Sequence, residues 1–167
     1  VDSLKTRTHL FSVTNVLKET LPKAYKAIEI VSEYLPYEHA ALVPLIKEMN
    51  TVEGDKRFNF VAIAYVQAKH PGIEVKEWSG ATLAHEIGHF VWYLKLTEEQ
   101  REFFQEHYDA IMGFGGEDFT KAGFPTSYST SSPGEFFAEC YQFYWRQPKA
   151  FFSRNPIMYK KFQEIFA

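Results

Sequence analysis

Thr82-Leu83-Ala84-His85-Glu86-Ile87-Gly88-His89-Phe90-Val91 is the stretch that decides how this chain is read. Apart from the two histidines, Thr82 and Glu86 it is apolar, as a helix buried behind a polar site requires. Residues four apart on a helix share one face, so His85 and His89 can put imidazole nitrogens on one metal ion. Glu86 follows the first histidine and can reach a water held beside the pair, as a general base. The pattern is H-E-x-x-H, the helix signature of zinc peptidases. Shuffling this composition yields it in roughly one chain in fifty, so the five residues alone are not proof and the apolar flanks matter. The competing reading is a helix with two buried histidines and a solvated Glu86.

The rest of the chain bounds what such a helix can belong to. At 167 residues, 46% of them hydrophobic and 17% aromatic, it is long enough to bury a sizeable core as one domain over 1–167. The net charge is −3 and no basic stripe is present, which argues against nucleic acid as a partner. The longest apolar run, Phe60–Val66, is far too short to span a bilayer, so no transmembrane segment is expected. Cys140 stands alone, which excludes an internal disulfide and a cysteine-rich zinc finger. The chain opens at Val1, not Met, and no signal peptide is visible within it, so a mature form or an excised domain is expected. Compartment and oligomeric state are left open.

Periodicity places the remaining elements. Thr14–Leu35 has helical spacing with Leu17, Leu21, Tyr25, Ile28 and Tyr34 as the expected inner face, and Pro22 suits the first turn of a second, shorter helix. Ala40–Met49 is ambiguous, because Pro44 argues for a break or an edge strand. Phe58–Val66 alternates as the best strand, and Ile73–Trp78 reads as a short return strand after the His70-Pro71-Gly72 turn. Ser79 is placed to cap the motif helix, which runs to about Leu96, and Thr97 with Gln100 forms a capping box for the next, to about Met112. Gly113–Ser131 reads as a long loop of the kind that carries function. A helix then opens at Ser132-Pro133-Gly134-Glu135 and ends before Pro148, and a last one follows Asn155-Pro156.

A catalytic zinc takes three protein ligands and leaves a fourth position for water, so a third ligand is required. The subclass with a third histidine six residues on is excluded, because Trp92 and Lys95 occupy its glycine and histidine positions. The remaining common choice is a glutamate on a later helix. Glu135 and Glu139, in Glu135-Phe136-Phe137-Ala138-Glu139, are four apart and face the same way. Two carboxylates on an apolar helix repel unless a cation lies beside them. The alternative is that Glu135 only completes a capping box with Ser132 while Glu139 is solvated. His9, His39, His70 and His107 lack metal spacing and read as surface or core residues; Cys140 and Trp92 read as core, and Tyr93 as core or pocket rim. Phe114, Phe119 and Phe124 of the long loop either line subsites or anchor the loop.

At these residues a resemblance enters. Thr126-Ser127-Tyr128 followed by Glu135-Phe136-Phe137-Ala138-Glu139, together with the H-E-x-x-H helix, resembles the gluzincin metallopeptidases typified by the anthrax lethal factor catalytic domain and the secreted Pro-Pro endopeptidases. The likeness runs from about Ser79 to Phe166 and includes the Asn155-Pro156 to Phe162 segment; the first half agrees only in the order of elements. The resemblance implies an α+β, zincin-like fold: a small sheet with the active-site helix, and a C-terminal helical subdomain. It implies Glu135 as third zinc ligand, Glu139 as hydrogen-bond partner of a ligand histidine, and Tyr128 as a hydroxyl aimed at the cleft. A tyrosine so placed can donate to an oxyanion, whereas in isolation Tyr128 reads as a packed loop residue.

The function expected is therefore a zinc metalloendopeptidase acting on a peptide or protein in extended conformation. His85, His89 and Glu135 would hold one Zn2+ per chain, and Glu86 and Tyr128 would do the chemistry. The Phe58–Val66 strand would bind the substrate by strand addition if it lies at the sheet edge. The alternatives are an intracellular regulatory protease, and a zinc-bound but inactive or masked peptide-binding protein. The resemblance points toward a secreted setting. Cleavage specificity has no residue signature here.

Overall fold

The computed structural model describes residues 2–5, 10–113 and 131–166, with side chains from residue 12 onward. It is α+β: five short strands in one mixed sheet, and seven helices among the described residues. The chain divides into two compact units, Val1–Phe90 and Val91–Ala167.

The first unit holds the sheet. Its strands are β1 (Asp2–Lys5), β2 (Leu10–Thr14), β3 (Ile46–Glu48), β4 (Ala62–Tyr65) and β5 (Gly72–Val75), in the order β1-β2-β3-β5-β4. β1–β2 and β4–β5 are antiparallel, whereas β3 runs parallel to both β2 and β5. The pairings Val13–Ile46–Ile73–Ala64 and Glu48–Val75–Ala62 put these residues on one face, because opposite residues in a ladder point the same way. Val13, Ile46, Ile73, Val75 and Ala62 on that face are all buried. The other face carries Thr14, Lys47, Glu74 and Ile63 in register. Gly72 is required where β5 passes Leu45: a Cβ there would lie 2.7 Å from the Leu45 carbonyl oxygen.

Helix α1 (Leu21–Tyr34) follows a 3-10 turn at Lys18–Thr20, and Pro22 sits in its first turn as expected. Its inner face agrees with expectation at Ile28 and differs from it at Leu17 and Tyr25. Ala24, Ala27, Ile28, Val31 and Ser32 are buried, while Leu17 and Tyr25 are about half exposed. The spacing 24, 27, 28, 31 is itself a helical stripe, and its two alanines let neighbouring elements approach closely. Tyr25, with a polar tip, tolerates the outer side. After α2 (Tyr37–Ala40) the chain breaks at Pro44 and enters β3, which is an interior strand rather than an edge.

The strand expected over Phe58–Val66 is shorter than its alternation suggests. Only Ala62–Tyr65 pairs; residues 51–61 form a strap of turns, with Phe58 N–H donating to Asp55 O and Phe60 N–H to Arg57 O, each at 3.0 Å. Arg57 explains why the turns win. Its guanidinium donates to Asp55 (Nε 3.2 Å, Nη2 3.0 Å) and, through Nη1 at 2.6 Å, to Glu74 on β5. Glu74 is 7% exposed and would be a costly buried carboxylate without that partner. Hydrogen bonding to Arg57 holds the Asp55 carboxyl below its usual range. Burial, followed by the hydrogen bond to Glu74, pushes the Tyr65 hydroxyl up.

The second unit is helical: α4 (Glu98–Gly113), α5 (Pro133–Arg146), α6 (Pro148–Arg154) and α7 (Pro156–Phe166). Thr97 and Gln100 form the expected reciprocal capping box, with Thr97 N–H donating to Gln100 Oε1 at 2.8 Å and Gln100 N–H to Thr97 Oγ1 at 3.1 Å. Helix α6, between the two helices expected, is an addition: Pro148 opens it and Asn155 closes it. The core of the unit is aromatic. Phe137 packs against Phe104 (4.9 Å between ring centroids), Phe162 (5.3 Å) and Trp92 (5.3 Å). Phe104, Phe137 and Phe162 are fully buried. Edge-to-face and offset pairs of this kind add to the area term rather than merely filling space.

Candidate metal centre

Helix α3 (Gly80–Leu94) carries the H-E-x-x-H residues. Ser79 caps it as expected, its Oγ accepting the Thr82 N–H at 3.1 Å. Gly80 opens the helix where Tyr34 and Ile30 of α1 approach: Tyr34 Oη donates to Gly80 O at 3.3 Å, and a Cβ on Gly80 would lie 2.7 Å from Ile30 Cγ2. At the other end Arg101 Nη1 donates to the carbonyls of Trp92 (3.1 Å) and Leu96 (2.7 Å), placing a cation where the helix dipole is negative. Leu83, Ala84, Ile87 and Phe90 are at most 1% exposed, so the helix is fixed by its apolar side.

His85 and Glu86 are each 7% exposed, and His89 is half-buried. Burial of Glu86 disagrees with the solvated side chain that an ordinary surface glutamate would show. The His85 and His89 rings are 5.0 Å apart between centroids and inclined at 74°. Edge-on rings at that distance can direct one nitrogen each at a common point, as two imidazole ligands must.

Glu135 lies in the first turn of α5, whose N-cap is Ser132; Ser132 Oγ accepts the Glu135 N–H at 3.1 Å. The cap is therefore present, and it sets the backbone of Glu135. The ligand-capable atoms of His85, His89 and Glu135 all lie within 4.8 Å of one another. Zinc with nitrogen and oxygen ligands at about 2.0–2.2 Å spaces them by about 3.3–3.6 Å, so small side-chain adjustments suffice to close the set. Two imidazoles and one carboxylate are borderline and hard donors that suit a divalent first-row ion. The donor set thus fits the group the sequence pattern implies.

Glu139 is 9% exposed, which excludes the solvated alternative for it. Cys140 beside it is fully buried; burial, with the Glu139 carboxylate adding to it, pushes the thiol well above its ordinary range. It is a neutral packing residue and neither nucleophile nor thiolate ligand. Trp92 is core and Tyr93 is 45% exposed. Of the other histidines, His39 is buried and His70 exposed. His107 is half-buried and stands in an aromatic stack with Phe103 and Phe136 that sequence spacing gave no sign of. Tyr128, with Thr126, Ser127, Phe114, Phe119 and Phe124, lies outside the described residues, so the role expected for it rests on the sequence alone. No family profile, curated protein or solved structure matches the chain. Among the described residues no helix is long and apolar enough to cross a membrane.

Proposed function

We propose that this chain is a zinc-dependent endopeptidase of zincin-like fold, with His85, His89 and Glu135 as metal ligands and Glu139 as a buried partner that orients one of the histidines. The observation that carries the reading is the convergence of these three ligand groups within 4.8 Å, from helices that the sequence separates by 46 residues between His89 and Glu135. A chance H-E-x-x-H gives no reason for a distant glutamate to meet the two histidines. When bound, zinc supplies Lewis acidity at the scissile carbonyl and lowers the pKa of a water toward about 7.

The chain's own residues divide the remaining work. Glu86, one residue after the first ligand, takes the proton of the attacking water and passes it to the leaving amine. Tyr128 donates its hydroxyl to the carbonyl oxygen as negative charge develops there. β4 ends the sheet, and among the described residues it pairs with β5 alone. An extended substrate can add to its outer side, held by main-chain hydrogen bonds.

The decisive experiment is Glu86→Gln. The change keeps shape and removes the base, so zinc should stay at about one per chain while hydrolysis of a peptide library collapses. Loss of zinc in that variant would make Glu86 a ligand or structural group. Full hydrolysis would assign the base elsewhere. A wild-type chain that binds zinc and peptides without cleaving any would instead be a binding protein.

A further inference from the structure

We propose that His107 and Asn155 form a proton-operated latch in the helical unit, closed while the His107 ring is neutral and opened when it is protonated. The latch stands whether or not the chain binds zinc; only its influence on Glu135 rests on the metal reading.

Asn155 precedes Pro156, and its Oδ1 accepts the Met158 N–H at 3.1 Å. A backbone N–H can only donate, so the amide atom facing it must be the oxygen. That fixes which way the amide points, and it turns Nδ2 toward Nε2 of His107 at 3.2 Å. Nδ2 also can only donate. Nε2 must therefore offer its lone pair, and the ring proton must sit on Nδ1. A doubly protonated ring would set N–H against N–H. Asn155 is 5% exposed, so its amide has no bulk water to turn to, and the half-buried His107 ring is the partner it meets from α4.

The surroundings hold the ring in place. His107 stacks on Phe103 (6.4 Å, 10°) and on Phe136 (6.0 Å, 23°). Aromatic faces alone would welcome a cation, so the stack does not explain neutrality. Burial and the fixed amide act against the charge. Burial holds the His107 pKa below its ordinary value of 6.5. The charged groups around it do not offset this. Lys161 of α7 lies with its Nζ 4.5 Å from the Phe103 ring centroid, a cation in the same layer, and Glu164 is 3.7 Å from Lys161. α5 presents the uncharged Phe136; Arg154, next to Asn155, is exposed.

The latch joins three elements: α4 through His107, the first turn of α5 through Phe136, and the start of α7 through Asn155. Phe136 is the residue after Glu135. Protonation of His107 thus removes the partner of the Asn155 amide that caps α7 and loosens the ring against which Phe136, the residue after Glu135, is stacked. Because the folded pKa lies below the unfolded one, the unfolded chain takes the proton first. The stabilisation is complete above pH 6.5 and is lost as pH falls toward the folded pKa.

The test uses the full chain labelled with 15N, its His107 ring signals assigned by difference against His107→Gln. Long-range proton–nitrogen correlation should show the Nδ1–H tautomer and a pKa below 6.5. Asn155→Asp is the informative variant. One carboxylate oxygen keeps the Met158 cap while the other accepts a ring N–H, so the pKa should cross to above 6.5 and the tautomer should change to Nε2–H. Amide exchange at Met158 should quicken as His107 is protonated in the wild type, and should not in Asn155→Asp. An Nε2–H tautomer in the wild type, a pKa at or above 6.5, a pKa unmoved by Asn155→Asp, or Met158 exchange indifferent to His107 would each overturn the latch. None of these readouts involves zinc or peptide cleavage, so a failed metal reading would leave them unchanged.

Discussion

Replacing His89 with alanine tests the metal centre without relying on any substrate. His89 is half-buried, whereas His85 is 7% exposed, so trimming His89 removes a ligand with the smaller disturbance to packing. Zinc that binds only the folded chain, at about 100 times its Kd, adds about 2.7 kcal/mol of stability. In a chain of 167 residues each kcal/mol moves the melting temperature by about 2–4 °C. Wild-type protein should therefore melt about 5–11 °C higher in zinc than in chelator. His89→Ala keeps one imidazole and one carboxylate, too few for a three-ligand site, and its zinc shift should fall to about 1–2 °C or less. Its melting point in chelator should stay near that of the wild type. Scanning calorimetry of both proteins, with Glu86→Gln as a variant that keeps the shift, gives the comparison. A wild-type protein indifferent to zinc, or a full shift in His89→Ala, would refute the assignment of this helix to a metal.

Glu135→Ala should lose zinc outright, while Glu139→Ala should weaken affinity by about 10- to 100-fold, as loss of an outer partner does; isothermal titration yields both, and the reverse ranking would exchange their roles. Tyr128→Phe should lower kcat and kcat/KM together by about 10²- to 10³-fold with KM and zinc content unchanged. A loss confined to KM would make Tyr128 a subsite residue. Phe137→Ala empties the centre of the aromatic cluster, where Phe104, Phe162 and Trp92 all meet it, and should cost about 3–5 kcal/mol. A urea midpoint implying less than about 1 kcal/mol would mean the helical unit repacks freely.

What could be read in the sequence was what local chemistry dictates. Ser79, Thr97 with Gln100, and Ser132 each cap the helix expected of them, because a cap is decided within four residues. The i, i+4 spacing of His85 and His89 is equally local. Properties set by distant partners were not legible. The large Ile28 faces inward on α1 as its spacing predicts, but Ala24 and Ala27 rather than Leu17 and Tyr25 share that face. The strand at Phe58–Val66 lost its first half to a strap that Arg57 ties to Glu74, 17 residues away. β1 and β2 have too few residues for a period to show, and β3 became an interior strand three residues long. The company of Glu135 with two histidines, and of His107 with Asn155, depends on how whole helices pack, which no spacing records.

The brevity of β4 has a colloidal consequence. An outer strand left for a peptide to join is also a template on which further copies could stack into filaments. Alternate residues of a strand direct their main-chain groups to opposite sides, so a strand of four leaves about two outward-facing. The Arg57-tied strap stops the ladder at one end and the bends after Tyr65 stop it at the other. On the proposed reading, two rungs suffice to register a single extended peptide. They are too few to nucleate a growing array along β4, so the shortness that would limit grip on a peptide also limits stacking of further copies at this edge.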